Sequence, residues 1–118
     1  YGEPGVDELS PLGSTRVAEL SDNGIEEYVV SPADFGMEIC TAAELKGGEP
    51  AENAETVLSV LRNQEKGGAR NAVVLNAGAS LYISGVAESM EVGMELADGV
   101  LQDGKALWIL DRLRQASE

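Results

Sequence analysis

The sequence predicts an α+β fold in which a short antiparallel strand pair is followed by several helices, one of them fully buried. Three observations carry this expectation. An Asn23-Gly24 turn separates two stretches rich in β-formers, the strongest short-range hairpin signal. Beyond Pro50, apolar residues recur at helical spacing. Between Ala72 and Ile83 that spacing gives way to a stretch with no polar face, which marks a buried helix. A chain of 118 residues is enough for one domain with one core.

Taken in order, residues 1–13 (YGEPGVDELSPLG) carry three Gly and two Pro and read as a loop. Thr15–Leu20 and Ile25–Val30 flank the turn Ser21-Asp22-Asn23-Gly24 and are expected to pair antiparallel. Ser31 then offers an N-cap, Pro32 a first helical position and Asp34 a first-turn acid, with Gly36 stopping the helix after one turn. Thr41-Ala42-Ala43-Glu44 is a capping box opening another short turn before Gly47-Gly48. Pro50 starts a helix with a stripe of Ala54, Val57, Leu58 and Leu61, which Gly67-Gly68 is expected to close. The buried helix runs from about Arg70 to Ser84, with Gly85 placed as its C-terminal cap. Ser89 opens a helix with Met90, Met94, Ala97 and Leu101 on one face, stopped by Gly104. The last helix begins near Lys105 and carries Ala106, Ile109, Leu110 and Leu113 as its stripe. No internal repeat, low-complexity tract or linker interrupts this order.

Charge and composition exclude several functions. The 21 acidic residues against 8 basic ones give a net charge of −13, which repels phosphate backbones and anionic lipid. Neither nucleic acid nor a membrane surface is therefore an expected partner. No apolar run approaches the roughly 20 residues that span a bilayer, and nothing reads as a signal peptide. The single Cys40 excludes an internal disulfide and fits a reducing compartment. With no His at all, Ser-His-Asp and Cys-His catalysis are excluded within the chain. The first residue is Tyr1, so the natural start is expected elsewhere.

Few residues can carry chemistry. Asp7-Glu8 is an adjacent carboxylate pair in a Gly/Pro-rich loop, where neighbouring side chains are not forced onto opposite faces. Mg²⁺ is commonly held by one or two carboxylates plus water and substrate phosphates. Against this, acids are so abundant that Glu26-Glu27 forms a second pair, and solvated charge is the plainer reading of the residues alone. Gly47-Gly48 before a helix start resembles a phosphate cradle, but Glu49 and Glu52 stand where a phosphate would approach and no Lys follows at P-loop spacing. Asp34-Phe35-Gly36 shares only letters with a kinase motif. Within Asn76-Ala77-Gly78-Ala79-Ser80 the small residues point to close packing, while Asn76 must find hydrogen-bond partners, structural or ligand. Trp108, Met90 and Met94 read as core or flanking residues, and Cys40 has no base nearby in sequence.

Several stretches together resemble one family. Gly5-Val6-Asp7-Glu8-Leu9-Ser10 is similar to the Gly-Leu-Asp-Glu loop of anthranilate phosphoribosyltransferases. Thr15–Leu20, Ile25–Tyr28 and Ser31–Gly36 follow in the family's order and spacing. LKGGEPAENA (45–54) and VLNAGASLY (74–82) are the most distinctive pieces. The match runs over nearly the whole chain, with Glu3-Pro4 departing from the usual approach to the loop.

The resemblance implies transfer of the phosphoribosyl group of phosphoribosyl pyrophosphate to anthranilate, in tryptophan biosynthesis, by a cytoplasmic homodimer that needs Mg²⁺. It assigns Asp7 and Glu8 to the metal, and carboxylates would then meet anionic substrates through that ion. The family's glycine-rich pyrophosphate loop, its Lys-containing phosphate segment and its anthranilate-contacting His and Arg have no counterpart here. Residues 1–118 are accordingly expected to be the carboxy-terminal part of the family's α/β domain, without the upstream helical domain and inactive alone. Two other readings stay open: a relative of the pyrimidine nucleoside phosphorylases, and a non-enzymatic acidic interaction module on the same scaffold.

Overall fold

The computed structural model describes residues 1–117. Strand β1 (Thr15–Ser21) pairs antiparallel with β2 (Gly24–Val30) in a register that sets Thr15 against Val30 and Ser21 against Gly24. Asp22 and Asn23 form the two-residue loop, and Gly24 takes φ 108°, a conformation closed to most side chains. Single 3-10 turns follow at Pro32–Phe35 and Ala42–Leu45. Helices α1 (Pro50–Leu61), α2 (Gly68–Ile83), α3 (Met90–Gln102) and α4 (Lys105–Ala116) complete the order.

Local chemistry accounts for most boundaries. Asp34 Oδ2 accepts from Ser31 N at 2.6 Å and Ser31 Oγ at 3.0 Å, tightening the first turn. Gly36, Gly85 and Gly104 adopt left-handed φ at the ends of the first 3-10 turn, α2 and α3. Ser89 Oγ accepts from Val92 N at 3.3 Å and caps α3. One boundary differs from expectation. Helix α1 ends at Leu61, with Asn63 at φ 56°, so the chain turns before reaching Gly67-Gly68. Those glycines instead begin α2, Gly67 as its N-cap and Gly68 as its first residue.

The core lies between α2 and α3. Val74 and Leu75 of α2 meet Met94, Ala97 and Leu101 of α3, and Val60 of α1 closes the cluster. The two helices cross at paired glycines. A Cβ on Gly78 would lie 2.7 Å from Met94 N and 2.8 Å from Met94 Cα, and one on Gly93 would lie 2.9 Å from the carbonyl carbon of Gly78. Arg70 of α2 and Asp98 of α3 form an ion pair beside this crossing.

Burial corrects three expectations. Helix α2 is not covered on all sides: the face toward α3 is buried, whereas Val73 and Ser80 are exposed and Ile83 is 80% exposed. Its apolar composition exceeds what α3 and its other neighbours cover among the described residues. On α1 the buried residue is Val60, while Val57 of the expected stripe is exposed. On α4 no residue is buried; Trp108, Ile109 and Leu113 are exposed and Ala106 alone of its stripe packs against the core. The accessible surface is 7800 Å², against roughly 6100 Å² for a compact monomer of 12.4 kDa. The radius of gyration, 15.1 Å, likewise exceeds the roughly 13.5 Å expected at this length. No helix is long and apolar enough among the described residues to cross a membrane.

Candidate metal-binding loop

Residues Gly2 to Thr15 form a tightly built loop on which Asp7 and Glu8 are exposed. Gly2 bridges both Val6 and Thr15, and Gly5 N and Val6 N donate to Gly2 O at 2.8 and 3.0 Å. Gly2 is buried, and a Cβ there would lie 2.6 Å from Glu8 O and 2.8 Å from Ser10 Cβ, so this approach requires glycine. On the other flank, buried Ser10 donates its N–H to Thr15 Oγ1 at 2.9 Å and its hydroxyl to Glu3 O. Leu9 turns its side chain onto the core.

Between these anchors the Asp7 and Glu8 side chains are exposed and enter no hydrogen bond or ion pair among the described residues. The donor set is two hard carboxylate oxygen groups on a stiff loop. That suits Mg²⁺, which takes one or two carboxylates and fills its octahedron with water and phosphate oxygens. It does not make a closed cage: among the described residues no group of three or more His, Cys, Asp or Glu converges for a metal. The structure leaves both sequence-predicted residues exposed on one loop, and among the described residues no group of three His, Cys, Asp or Glu includes them.

Sequence reasoning left the duty of Asn76 open. Its Oδ1 accepts from Leu9 N at 2.9 Å, and its Nδ2 donates to Leu9 O at 3.2 Å and to Ala72 O at 3.0 Å. A side chain in the middle of α2 thus holds the residue next to Glu8. A second cluster was also missed. Glu19 of β1 accepts from Tyr28 of β2 at 2.8 Å and from Tyr82 of α2 at 2.6 Å, tying the hairpin to the helix layer. The bond from Tyr82, then that from Tyr28, holds the Glu19 carboxyl below the usual carboxylate range. Burial, reinforced by the bond to Glu19, pushes Tyr28 up to about 12.

The other motifs are occupied by the protein itself. Asn53 pairs with Gly48 through Oδ1 to N at 2.8 Å and Nδ2 to O at 3.0 Å, and Glu49 N donates to Glu52 Oε2 at 2.8 Å. The N-terminus of α1 is filled by its own carboxylate, which leaves no cradle for phosphate. Asp34 serves its turn and Phe35 packs on the core. A groove of about 760 Å³ runs past Cys40, Arg70, Asn71 and Met94. Its lining includes Glu38, Glu44, Glu91 and Glu95 but neither Asp7 nor Glu8, so the carboxylate pair stands outside it.

Comparison with known proteins places this geometry. The family model described as "Glycosyl transferase family, a/b domain" matches residues 2–107. Among curated relatives, the anthranilate phosphoribosyltransferase of Methanobrevibacter smithii is 49% identical over 106 residues, covering 90% of this chain and 31% of the relative. That of Rubrobacter xylanophilus is 43% identical over 117 residues, covering 99% of this chain and 34% of the relative. The chain thus spans about a third of the length of the relatives it matches. In three dimensions, the crystal structure of anthranilate phosphoribosyltransferase from Thermus thermophilus superposes with a TM-score of 0.84 at 40% identity, covering 94% of this chain and 32% of that one. A Saccharomyces cerevisiae anthranilate phosphoribosyltransferase variant with Mg bound shares the fold, with a TM-score of 0.81 at 23% identity over 94% of this chain and 32% of that one. With its carboxylate loop, hairpin and crossed helices all inside the matched residues, the chain belongs to the glycosyl transferase family whose a/b domain it matches.

Proposed function

We propose that residues 1–118 form the carboxy-terminal part of the α/β domain of an anthranilate phosphoribosyltransferase, with the helical domain and the pyrophosphate-binding loop supplied by sequence outside them. In the intact enzyme the phosphoribosyl group of phosphoribosyl pyrophosphate passes to the amino nitrogen of anthranilate. The observation that carries this reading is the 40–49% identity, over nine-tenths or more of this chain, to relatives of that name. The apolar faces left uncovered on α2 and α4 support it, since a larger protein would cover them.

Within that enzyme Asp7 and Glu8 are the metal ligands of this chain. A bound Mg²⁺ would neutralise the departing pyrophosphate while cationic character builds at the sugar carbon. The chain's own part is to hold two carboxylates at a fixed place, with Gly2 and Ser10 anchoring the loop on either side. Mg bound to the yeast relative supports a metal in the intact enzyme. We place the intact enzyme in the cytoplasm as a homodimer, with no nucleic-acid or membrane partner.

The test is the loss of anthranilate fluorescence on mixing full-length protein with phosphoribosyl pyrophosphate and Mg²⁺. Metal-dependent consumption of anthranilate is the expected result. A folded full-length protein that leaves anthranilate unchanged at saturating substrates would overturn the proposal.

A further inference from the structure

We propose that Asn76 is a positioning residue for the carboxylate pair, its amide fixing the Leu9 main chain and thereby the place where Asp7 and Glu8 meet the metal. This rests on the reading of Asp7 and Glu8 as metal ligands. An asparagine amide offers an acceptor and two donor hydrogens in one plane. Here the acceptor takes Leu9 N at 2.9 Å, one donor reaches Leu9 O at 3.2 Å, and the Ala72 carbonyl one turn back takes the remaining bond at 3.0 Å. Both peptide groups flanking Leu9 are thus tied to a helix that lies 67 residues further along the chain. The first of those peptides carries the carbonyl of Glu8.

Helix α2 gains nothing in its own ladder from this residue, since asparagine is a poorer helix former than alanine. The amide's contribution falls on the loop. The N–H groups of Asp7 and Glu8 have no partner among the described residues, so the pair is fixed only from its flanks. Gly2 holds the upstream side and Thr15 holds Ser10 downstream. Asn76 holds the residue between Glu8 and Ser10 and joins the loop to the helix layer. Groups that orient metal ligands in this way typically change metal affinity about 10–100-fold when removed.

The experiment is equilibrium dialysis of Mn²⁺ at fixed phosphoribosyl pyrophosphate with the full-length protein, alongside hydrogen exchange at Leu9 N–H. Asn76→Ala should weaken metal retention about tenfold and speed exchange at Leu9, and the Mg²⁺ midpoint of the reaction should shift more than the saturated rate. Asn76→Gln keeps the same groups one methylene further out and should lie between Ala and wild type; it also decides the matter should the Ala variant not fold. Leu101→Ala, which opens the core far along α3, should lower the melting temperature without moving metal retention. Wild-type retention in both Asn76 variants would overturn the positioning role, as would equal weakening in Leu101→Ala. Asp7→Asn with Glu8→Gln separates the two levels. Wild-type retention in that double variant defeats the metal reading itself, whereas its loss beside normal Asn76 variants defeats only the positioning role.

Discussion

Replacing Gly78 by alanine tests the crossing on which the core depends. The new methyl would sit 2.7 Å from Met94 N and 2.8 Å from Met94 Cα, where ordinary contact begins near 3.4 Å. Met94 Sδ stands nearer still and can swing aside, but Met94 N and Cα are main chain and cannot. Helices α2 and α3 must part by about half an ångström or more, a gap that forfeits roughly a quarter of the attraction of each atom pair across it. Overpacking of this kind costs about 1–3 kcal/mol, and the better helix propensity of alanine returns about 1 kcal/mol. A net loss of up to about 2 kcal/mol is expected, and the same for Gly93→Ala, whose methyl would meet Gly78. Gly99 lies in α3 as well, but nothing stands within 4 Å of its would-be Cβ. Gly99→Ala should therefore gain up to about 1 kcal/mol. Thermal unfolding followed by circular dichroism reads the difference, at about 3–6 °C per kcal/mol for a chain of this size. Gly78→Ala melting above wild type, as Gly99→Ala should, would refute the close crossing.

Three further outcomes are expected. Asp7→Asn with Glu8→Gln should raise the Mg²⁺ requirement and lower turnover of the full-length enzyme with little change in melting temperature, because both side chains are exposed and unbonded; an unaltered Mg²⁺ titration would remove the assignment. Glu19, depressed below 4.5, favours the folded state above that pH and loses its contribution as pH falls through its folded value, while Tyr28, raised from 10.0 to about 12, loses its contribution as pH climbs through that window. Glu19→Gln should flatten the acid side of the melting-temperature profile and only soften the alkaline side, where burial holds Tyr28 up without Glu19; parallel wild-type and variant profiles would show that the cluster carries no such linkage. The 118-residue chain alone should leave anthranilate fluorescence unchanged with phosphoribosyl pyrophosphate and Mg²⁺, and adding the upstream segment as a separate polypeptide should restore the loss; turnover by the chain alone would contradict its reading as a part.

What could be read from the sequence was what local chemistry decides. The hairpin, both single turns, the start of α1 at Pro50 and the caps at Ser89, Gly85 and Gly104 all follow from residues within a few positions of the feature. Gly78 too was legible, since a glycine amid apolar residues announces a close neighbour. Gly67-Gly68 was misleading because a glycine pair ends one helix or begins the next with equal ease, and Asn63 had already supplied the left-handed turn. The burial of α2 and α4 was overstated because periodicity reports which face wants cover, not whether this chain provides it. Asn76 and Tyr82 were out of reach for a different reason. Their partners, Leu9 and Glu19, lie 67 and 63 residues away, and no local pattern encodes so distant a bond. The carboxylate pair stands out only through family resemblance, because composition makes it one acidic doublet among others.

Asn76 and Gly78 share a single turn of α2, one facing the acidic loop and the other the crossing with α3. That proximity bears on how genetic data from this region should be interpreted. On the proposed metal role of Asp7 and Glu8, a selection for altered metal requirement would return substitutions at Gly78, Gly93 or Met94 beside those in the loop, because displacing the helix displaces the amide it carries. Second-site suppressors tell the two classes apart. A smaller residue at Met94 removes the contact of its Sδ with a new Cβ at Gly78 and leaves the contacts of its main-chain N and Cα, so it suppresses that class in part, yet it can do nothing for a lost carboxylate at Asp7 or Glu8.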